Sequence, residues 1–319
     1  MENEVPLNTP PTSWERQAIE KLLLADVRER RAARRWRMVR GIVWALLFGA
    51  VAWALLADDW LGDTAASVRP HTAMIAIKGE IADDADASAE YVLPALRSAM
   101  AEPGAKALVL LINSPGGSPV QAGLIHDEIV RLRKLHDKPV YTVVEESCAS
   151  AAYYIAAASD KIYVDKASLV GSIGVLINGF GFVGTLDKLG IERRLLTAGD
   201  NKGFLDPFSP QSDKHREHAQ KMLDQIHQQF ITVVRQGRGD RLKETPEMFS
   251  GLFWTGEQAV QLGLADQLGS LNGVARDVVK AAKLVDYTHK ADLMERFAKR
   301  VGASAGASAA RALRTLSWH

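Results

Sequence analysis

The chain has 319 residues, 39 of them basic and 38 acidic, with 47% hydrophobic side chains. The charge balance leaves no basic excess for a nucleic-acid partner, and the length admits one large domain or two. A single cysteine, Cys148, excludes an intramolecular disulfide.

From the start, Met1 to Ser13 is proline-rich. Trp14 to Arg37 has helical spacing with mixed charge, suited to lying on anionic lipid headgroups. Arg28, Arg30, Arg31, Arg34, Arg35, Arg37 and Arg40 then crowd ahead of an uncharged apolar run, Gly41 to Ala57. As a helix that run is roughly 26 Å long, at the short end for a membrane span. Trp36 and Trp60 flank it as interface anchors would, and Asp58-Asp59 follows it. The positive-inside rule therefore sets the N-terminus in the cytoplasm. Ala50-Val51-Ala52 lies mid-span, too far along for an ordinary signal peptide, so the run is read as an uncleaved anchor. The expected organisation is a cytoplasmic segment 1–40, a transmembrane anchor 41–57, a linker 58–70, an extracytoplasmic domain 71–290 and a C-terminal tail 291–319.

Within that domain, Thr72 to Lys78 reads as a strand, Ala87 to Met100 as a helix and Ala107 to Ile112 as a second strand. Pro119 to Leu135 is a helix, opened by a capping box at Ser118, with Val120, Leu124, Ile129, Leu132 and Leu135 on its inner face. Val140 to Val144 is a strand, Ala151 to Ser159 a helix, and Lys161 to Val164 and Ser168 to Ile177 supply further β structure. Asp213 to Arg235 is a long helix capped at Ser212, and Glu257 to Leu262 a short one. Ala275 to Leu284 and Asp292 to Arg300 are also read as helical. Strands alternating with helices predict a parallel, layered α/β fold.

Two junctions carry chemical interest. Ser150 stands where a strand turns into a helix, so its hydroxyl faces outward beside the helix's unpaired N–H groups. Taken alone, most serines before helices are N-caps that accept a backbone hydrogen bond and do no chemistry. The second junction, Asn113-Ser114-Pro115-Gly116-Gly117, places two bare glycines between strand and helix. Backbone N–H groups there can approach a ligand closely, as an oxyanion hole requires, although a tight turn needs no further purpose.

These segments, together with Ala149-Ser150-Ala151-Ala152-Tyr153-Tyr154-Ile155-Ala156, Gly171-Ser172-Ile173-Gly174-Val175, Gly199-Asp200-Asn201-Lys202, Trp254 to Ala259 and Gly263-Leu264-Ala265-Asp266, resemble the signal peptide peptidase A family. That family consists of membrane-anchored serine peptidases of the S49 type. One departure stands out: members usually carry Gly-Gly after the serine, where this chain has Ala151-Ala152.

The resemblance implies a ClpP/crotonase-like superhelix of ββα units. It also implies Ser150 as nucleophile, Lys202 as its base and Ser172 as the group holding the lysine amine. Gly117 is the main oxyanion donor expected, with Ala151 or Ser150 as the second. A lysine acts as base only when neutral, which requires its pKa to fall from about 10.4 toward 7–8 through burial or a like charge. Phe204, Leu205 and Phe208 are the apolar neighbours available to Lys202.

Of the eight histidines, His215, His218 and His227 read as a solvated helix face, while His126-Asp127 stays open as a contributor. Cys148 reads as a packing residue. The resemblance further implies peptide substrates such as signal peptide remnants, a homo-oligomeric ring or dome with serine and lysine from neighbouring subunits, membrane lipid contact, and no cofactor or metal. Two other readings stand beside it: a catalytically silent peptide-binding scaffold, motivated by Ala151-Ala152, and a crotonase-type acyl-CoA enzyme, which shares the oxyanion geometry.

Overall fold

The computed structural model describes residues 36–50 and 69–289. The chain divides into two compact units, Met1–Ala66 and Ser67–His319. In the first, residues 36–50 form helix α1, and its apolar side chains, Trp36, Ile42, Trp44, Leu46 and Phe48 among them, are exposed. Residues 51–57 of the expected anchor lie outside the described residues, as do 1–35, most of the linker and the C-terminal tail with its expected helix. Among the described residues no helix is long and apolar enough to cross a membrane.

The second unit is built on β1 (His71–Lys78), β2 (Ala105–Ser114), β3 (Val140–Ala149), β4 (Lys161–Val164), β5 (Leu169–Gly171), β6 (Phe253–Thr255), β7 (Gln267–Leu268) and β8 (Leu284–Asp286). The sheet order is β6-β5-β3-β2-β1-β8, and every pairing is parallel except β5 with β6. The central strand β2 is buried on both faces from Ala107 to Ile112. That is why it reads as an unbroken apolar run rather than an alternating one. β3 has two partners along its length: Tyr141 to Val143 pair with β4, and Ser147 to Ala149 pair with β5. The sheet thus parts around β3, and a mixed, parallel-dominated α/β fold results, as expected.

The helices of this unit are α2 (Ala89–Ala101), α3 (Pro119–His136), α4 (Ala151–Ala156), α5 (Val183–Lys188), α6 (Asp213–Arg238), α7 (Gly256–Gln261) and α8 (Leu271–Gly273). Ser118 caps α3 by accepting from Gln121 N–H, and Ser212 caps α6 by accepting from His215 N–H, both as the sequence indicates. α6 seats on the end of α4 at Gly237, where a Cβ would come within 2.1 Å of the Ala157 carbonyl oxygen. The next residue, the buried Arg238, donates from Nε to Gly263 O at 2.8 Å and from Nη1 to Asp266 Oδ2 at 2.9 Å. The same carboxylate oxygen accepts from Ile162 N–H, so one ion pair joins α6, β4 and the turn after α7. Burial is the largest single influence on Asp266 and raises its pKa, but the hydrogen bond and charge of Arg238, the Ile162 N–H and the charge of Arg241 together outweigh it and hold the carboxyl below its usual range.

Three expectations need correction. α3 turns Ile129 and Leu132 inward as expected, together with Ala122 and Ile125, but Val120, Leu124 and Leu135 of the expected inner face are exposed. The run Ser168 to Ile177 is a strand only from Leu169 to Gly171, because Ser172 takes φ 50° and donates its N–H across to Leu252 O. Ala275 to Leu284 is not one helix: a π-turn at Val274–Val278 gives way to irregular chain and then to β8.

α2 and α3 are tied by Glu128, which is buried and accepts from Arg97 of α2 and from Arg131 of its own helix. These bonds, Arg131 first, lower its pKa from 4.5 to about 2. A depressed carboxylate stabilises fully above its unfolded pKa and loses that contribution as pH falls toward the folded value. Melting temperatures of wild type and Glu128→Gln should therefore differ by a constant amount above about pH 5, and the gap should close as pH falls to about 2.

Candidate active site

β3 ends at Ala149 and α4 begins at Ala151, leaving Ser150 alone to turn the chain. It does so at φ 52° and ψ −122°, a conformation that side chains other than glycine rarely adopt. Such strain costs about 1–3 kcal/mol and persists only where the surroundings impose it. Here they do. Ser150 N–H donates to Gly171 O at 2.9 Å, and Ser150 O accepts from Tyr154 N–H at 3.0 Å. The Oγ caps nothing, which removes the N-cap explanation.

The loop after β2 supplies the opposite wall. Gly116 and Gly117 take φ 106° and 146°. Gly116 N–H donates to Ser114 Oγ at 3.1 Å. Gly116 O accepts from Ile81 N–H, and Ser118 N–H donates to Ile81 O, pinning Gly117 beside Ile81. A Cβ on Gly116 would lie 2.7 Å from Ser150 Cβ, and one on Gly117 would lie 2.2 Å from Ile81 O. Both positions need glycine for space as well as for φ. Among the described residues, the N–H groups of Gly117 and Ala151 donate to no protein acceptor.

Gly117, Ser150, Ala151 and Ser172 line one cleft of about 540 Å³, walled by Tyr154 of α4 and by Ile226, Gln229 and Phe230 of α6. The cleft opens at the carboxyl ends of parallel strands β2 and β3, where open α/β sheets place their sites. Ser172, also at positive φ, is anchored by its N–H to Leu252 O at 2.8 Å. Four of the five site residues expected from sequence therefore meet.

Lys202 does not join them. It is exposed, in the turn Asn201 to Phe204 between α5 and α6, and is not among the residues lining the cleft. Its expected apolar neighbours are engaged elsewhere: Phe204 packs edge-on against His215 and His218, and Phe208 stacks on Phe182.

His126 stands behind the wall, its Nδ1 3.0 Å from Asp127 Oδ1 and its ring edge-on to Tyr154. His227, read from sequence as solvated, is half-buried, and its Nε2 lies 3.1 Å from Ile173 O. A residue one turn before the buried Phe230, facing the same way, was the signal for it. Cys148 is fully buried in β3, and burial alone pushes its thiol pKa well up.

A serine on a strained strand-to-helix turn, facing two unspent N–H groups at the end of a parallel sheet, places the chain in the ClpP-like α/β class. Comparison with known proteins agrees. The Clp protease family model matches residues 65–169, and the Peptidase family S49 model matches residues 133–285. A Brucella abortus protein named a Na(+)/H(+) antiporter is 46% identical over 181 residues, which is 57% of this chain and 25% of that protein. A putative signal peptide peptidase of Enterococcus faecium is 31% identical over 67% of this chain and 64% of its own length. A putative protease of Synechocystis sp. is 30% identical over 64% of this chain and 72% of its own length. The chain spans about a quarter of the Brucella protein and under two thirds of the Enterococcus one. The chain belongs to peptidase family S49 and is of the signal peptide peptidase A type.

Three outcomes follow from the packing. Gly116→Ala should lower unfolding stability by about 1–3 kcal/mol in urea titrations, since the added methyl meets Ser150 and the Ala149 carbonyl. Gly123→Ala, on α3 with nothing within 4 Å of the new Cβ, should leave stability unchanged or raise it. The Cys148 thiol should not react with a disulfide reagent in native protein, and should react fully in denaturant.

Proposed function

We propose that this chain is a membrane-anchored serine endopeptidase, with Ser150 as nucleophile and Lys202 as general base, that cuts apolar peptides such as signal peptide remnants. The observation that carries the proposal is the uncommitted Ser150 Oγ, held on a strained turn between the unspent N–H groups of Gly117 and Ala151. A solvated serine is a poor nucleophile, and it gains reactivity from a nearby base and from donors that await the developing oxyanion.

In the proposed cycle the neutral Nζ of Lys202 takes the Ser150 proton as Oγ bonds to the scissile carbonyl carbon. The carbonyl oxygen, now anionic, accepts from Gly117 and Ala151 N–H. The ammonium returns its proton to the leaving amine as the C–N bond breaks. Water then attacks the ester carbon and gives a proton to Lys202, which passes it to Ser150 Oγ as the ester C–O bond breaks, freeing the acid product and restoring neutral lysine. Ser172, in the same cleft, would hold the amine by accepting its N–H.

Because Lys202 stands outside the cleft of its own chain, the base would come from a second copy in a homo-oligomer. Support for such assembly lies in the exposed arm between Ser172 and α6, where Leu176, Phe180, Leu189 and Leu196 present apolar surface and α5 buries no residue. The anchor is supported by the arginine cluster ahead of residue 41 and by the exposed apolar side chains of α1. It would hold the catalytic unit outside the cytoplasmic membrane.

The test uses the full chain in detergent with an internally quenched peptide of alanine and leucine. Ser150→Ala and Lys202→Ala should each lower hydrolysis by about 10³-fold or more, and mixing the two variants should restore part of it. Full activity in either single variant would remove the dyad. Failure of wild type to label with a fluorophosphonate would favour the silent scaffold instead.

A further inference from the structure

Helix α6 carries His215, His218 and His227, and none of the three lines the Ser150 cleft. Two loops that hold residues of the proposed chemistry rest on these side chains. At the N-terminal end of α6, His215 Nε2 lies 3.3 Å from Asn201 Oδ1; the carboxamide oxygen only accepts, so the ring donates. Phe204 wedges between two rings one helical turn apart, its centroid 5.4 Å from that of His215 and 5.6 Å from that of His218, edge-on to both. Asn201 and Phe204 are the two shoulders of the turn that displays Lys202. The turn's own backbone bonds are short-range, Lys202 N–H to Gly199 O and Phe204 N–H to Asn201 O. Contacts of that range set its shape but not its place.

Three turns further along the same helix, His227 Nε2 donates to Ile173 O at 3.1 Å. That carbonyl belongs to the residue after Ser172, whose φ of 50° needs external restraint. The preceding peptide is restrained by Ser172 N–H to Leu252 O and by Gly171 O, which accepts from Ser150 N–H. The Ser172 turn is thus held on both sides, once by β6's approach and once by α6.

We infer that His215 and His227 are positioning residues, which fix the Lys202 turn and the Ser172 turn to one rigid helix. The inference rests on the Ser150–Lys202 reading and deepens it. A base on an exposed turn works only if its nitrogen reaches the same place at every encounter, and displacement by about 1 Å can cost on the order of 10²-fold in rate. Neither imidazole touches substrate. Each acts by donating one N–H to a loop oxygen, so any side chain with a donor at that reach should substitute.

The experiment measures kcat and KM for the quenched peptide with the full chain and its His215→Ala, His215→Gln, His227→Ala, His227→Gln and Lys202→Ala variants. Melting temperature and sedimentation are recorded alongside. Each alanine variant should lose about 10-fold or more in kcat with KM within about 2-fold, and each glutamine variant should recover to within about 3-fold of wild type. Melting temperature and subunit number should stay at the wild-type values.

Wild-type kcat in the alanine variants would overturn the inference. So would glutamine variants as slow as alanine ones, or losses of kcat that track losses of melting temperature or of assembly. Lys202→Ala separates the two claims. If it is fully active, the lysine assignment fails and the inference with it. If it is inactive while the histidine variants are not, only the inference fails.

Discussion

The backbone of Ser150 is the constraint on which the rest of the site depends. A non-glycine residue at φ 52° and ψ −122° would relax if its neighbours allowed it. Three pieces of chain prevent this: the Gly171 carbonyl accepts its N–H, Tyr154 N–H, one helical turn on, donates to its C=O, and Gly116 closes on it from a side where a methyl group has no room. Each of those pieces is itself held by a strand end, of β5, α4's junction with β3, and β2. The strain is therefore stored by the sheet, and the hydroxyl is aimed before any substrate arrives.

That arrangement explains why β3 divides its pairing. Were β4 to run alongside β3 for its whole length, β5 could not reach Ser147 to Ala149, and Gly171 O would not stand beneath Ser150 N–H. The handover from β4 to β5 is fixed from the far side by Asp266, which accepts from Ile162 N–H of β4 and from the buried Arg238. A buried ion pair contributes little net stability, because desolvation offsets most of the attraction. Its worth here is in register: an unpaired Arg238 or Asp266 is costly, so alternative seatings of α6 against β4 are disfavoured.

Much of this was legible from sequence, for physical reasons that differ by element. The glycine pair, the lone serine and the caps at Ser118 and Ser212 are local signals, and local chemistry survives folding. On α3, Ile129 and Leu132 face inward as their hydrophobicity suggests, but the apolar pattern alone did not fix the face: Ala122 and the ion-paired Glu128 are buried, and Val120, Leu124 and Leu135 face out. The β run after Ser168 ended early because Leu252, some eighty residues on, claims Ser172 N–H. No pattern near Ser172 encodes that partner. The α6 histidines were hidden in the same way, since their acceptors, Asn201 Oδ1 and Ile173 O, lie on separate loops.

The two halves of the proposed dyad differ in how complete they are within one chain. The serine half has its turn, its donors and its cleft. The lysine half sits on an exposed arm, and a lysine is a base only once burial or a neighbouring like charge has lowered its pKa; burial is the route its apolar surroundings offer. Water exclusion must then come from something laid over the arm, and Leu176, Phe180, Leu189 and Leu196 offer the surface such a cover would bury. Under that reading, a single copy holds a preorganised nucleophile without a competent base. Burying the arm would supply the low-dielectric surroundings and the neighbouring cleft in one event. Assembly and chemistry would then be coupled by one physical cause, the removal of water from an amine, and a dispersed chain would be harmless until it met its copies.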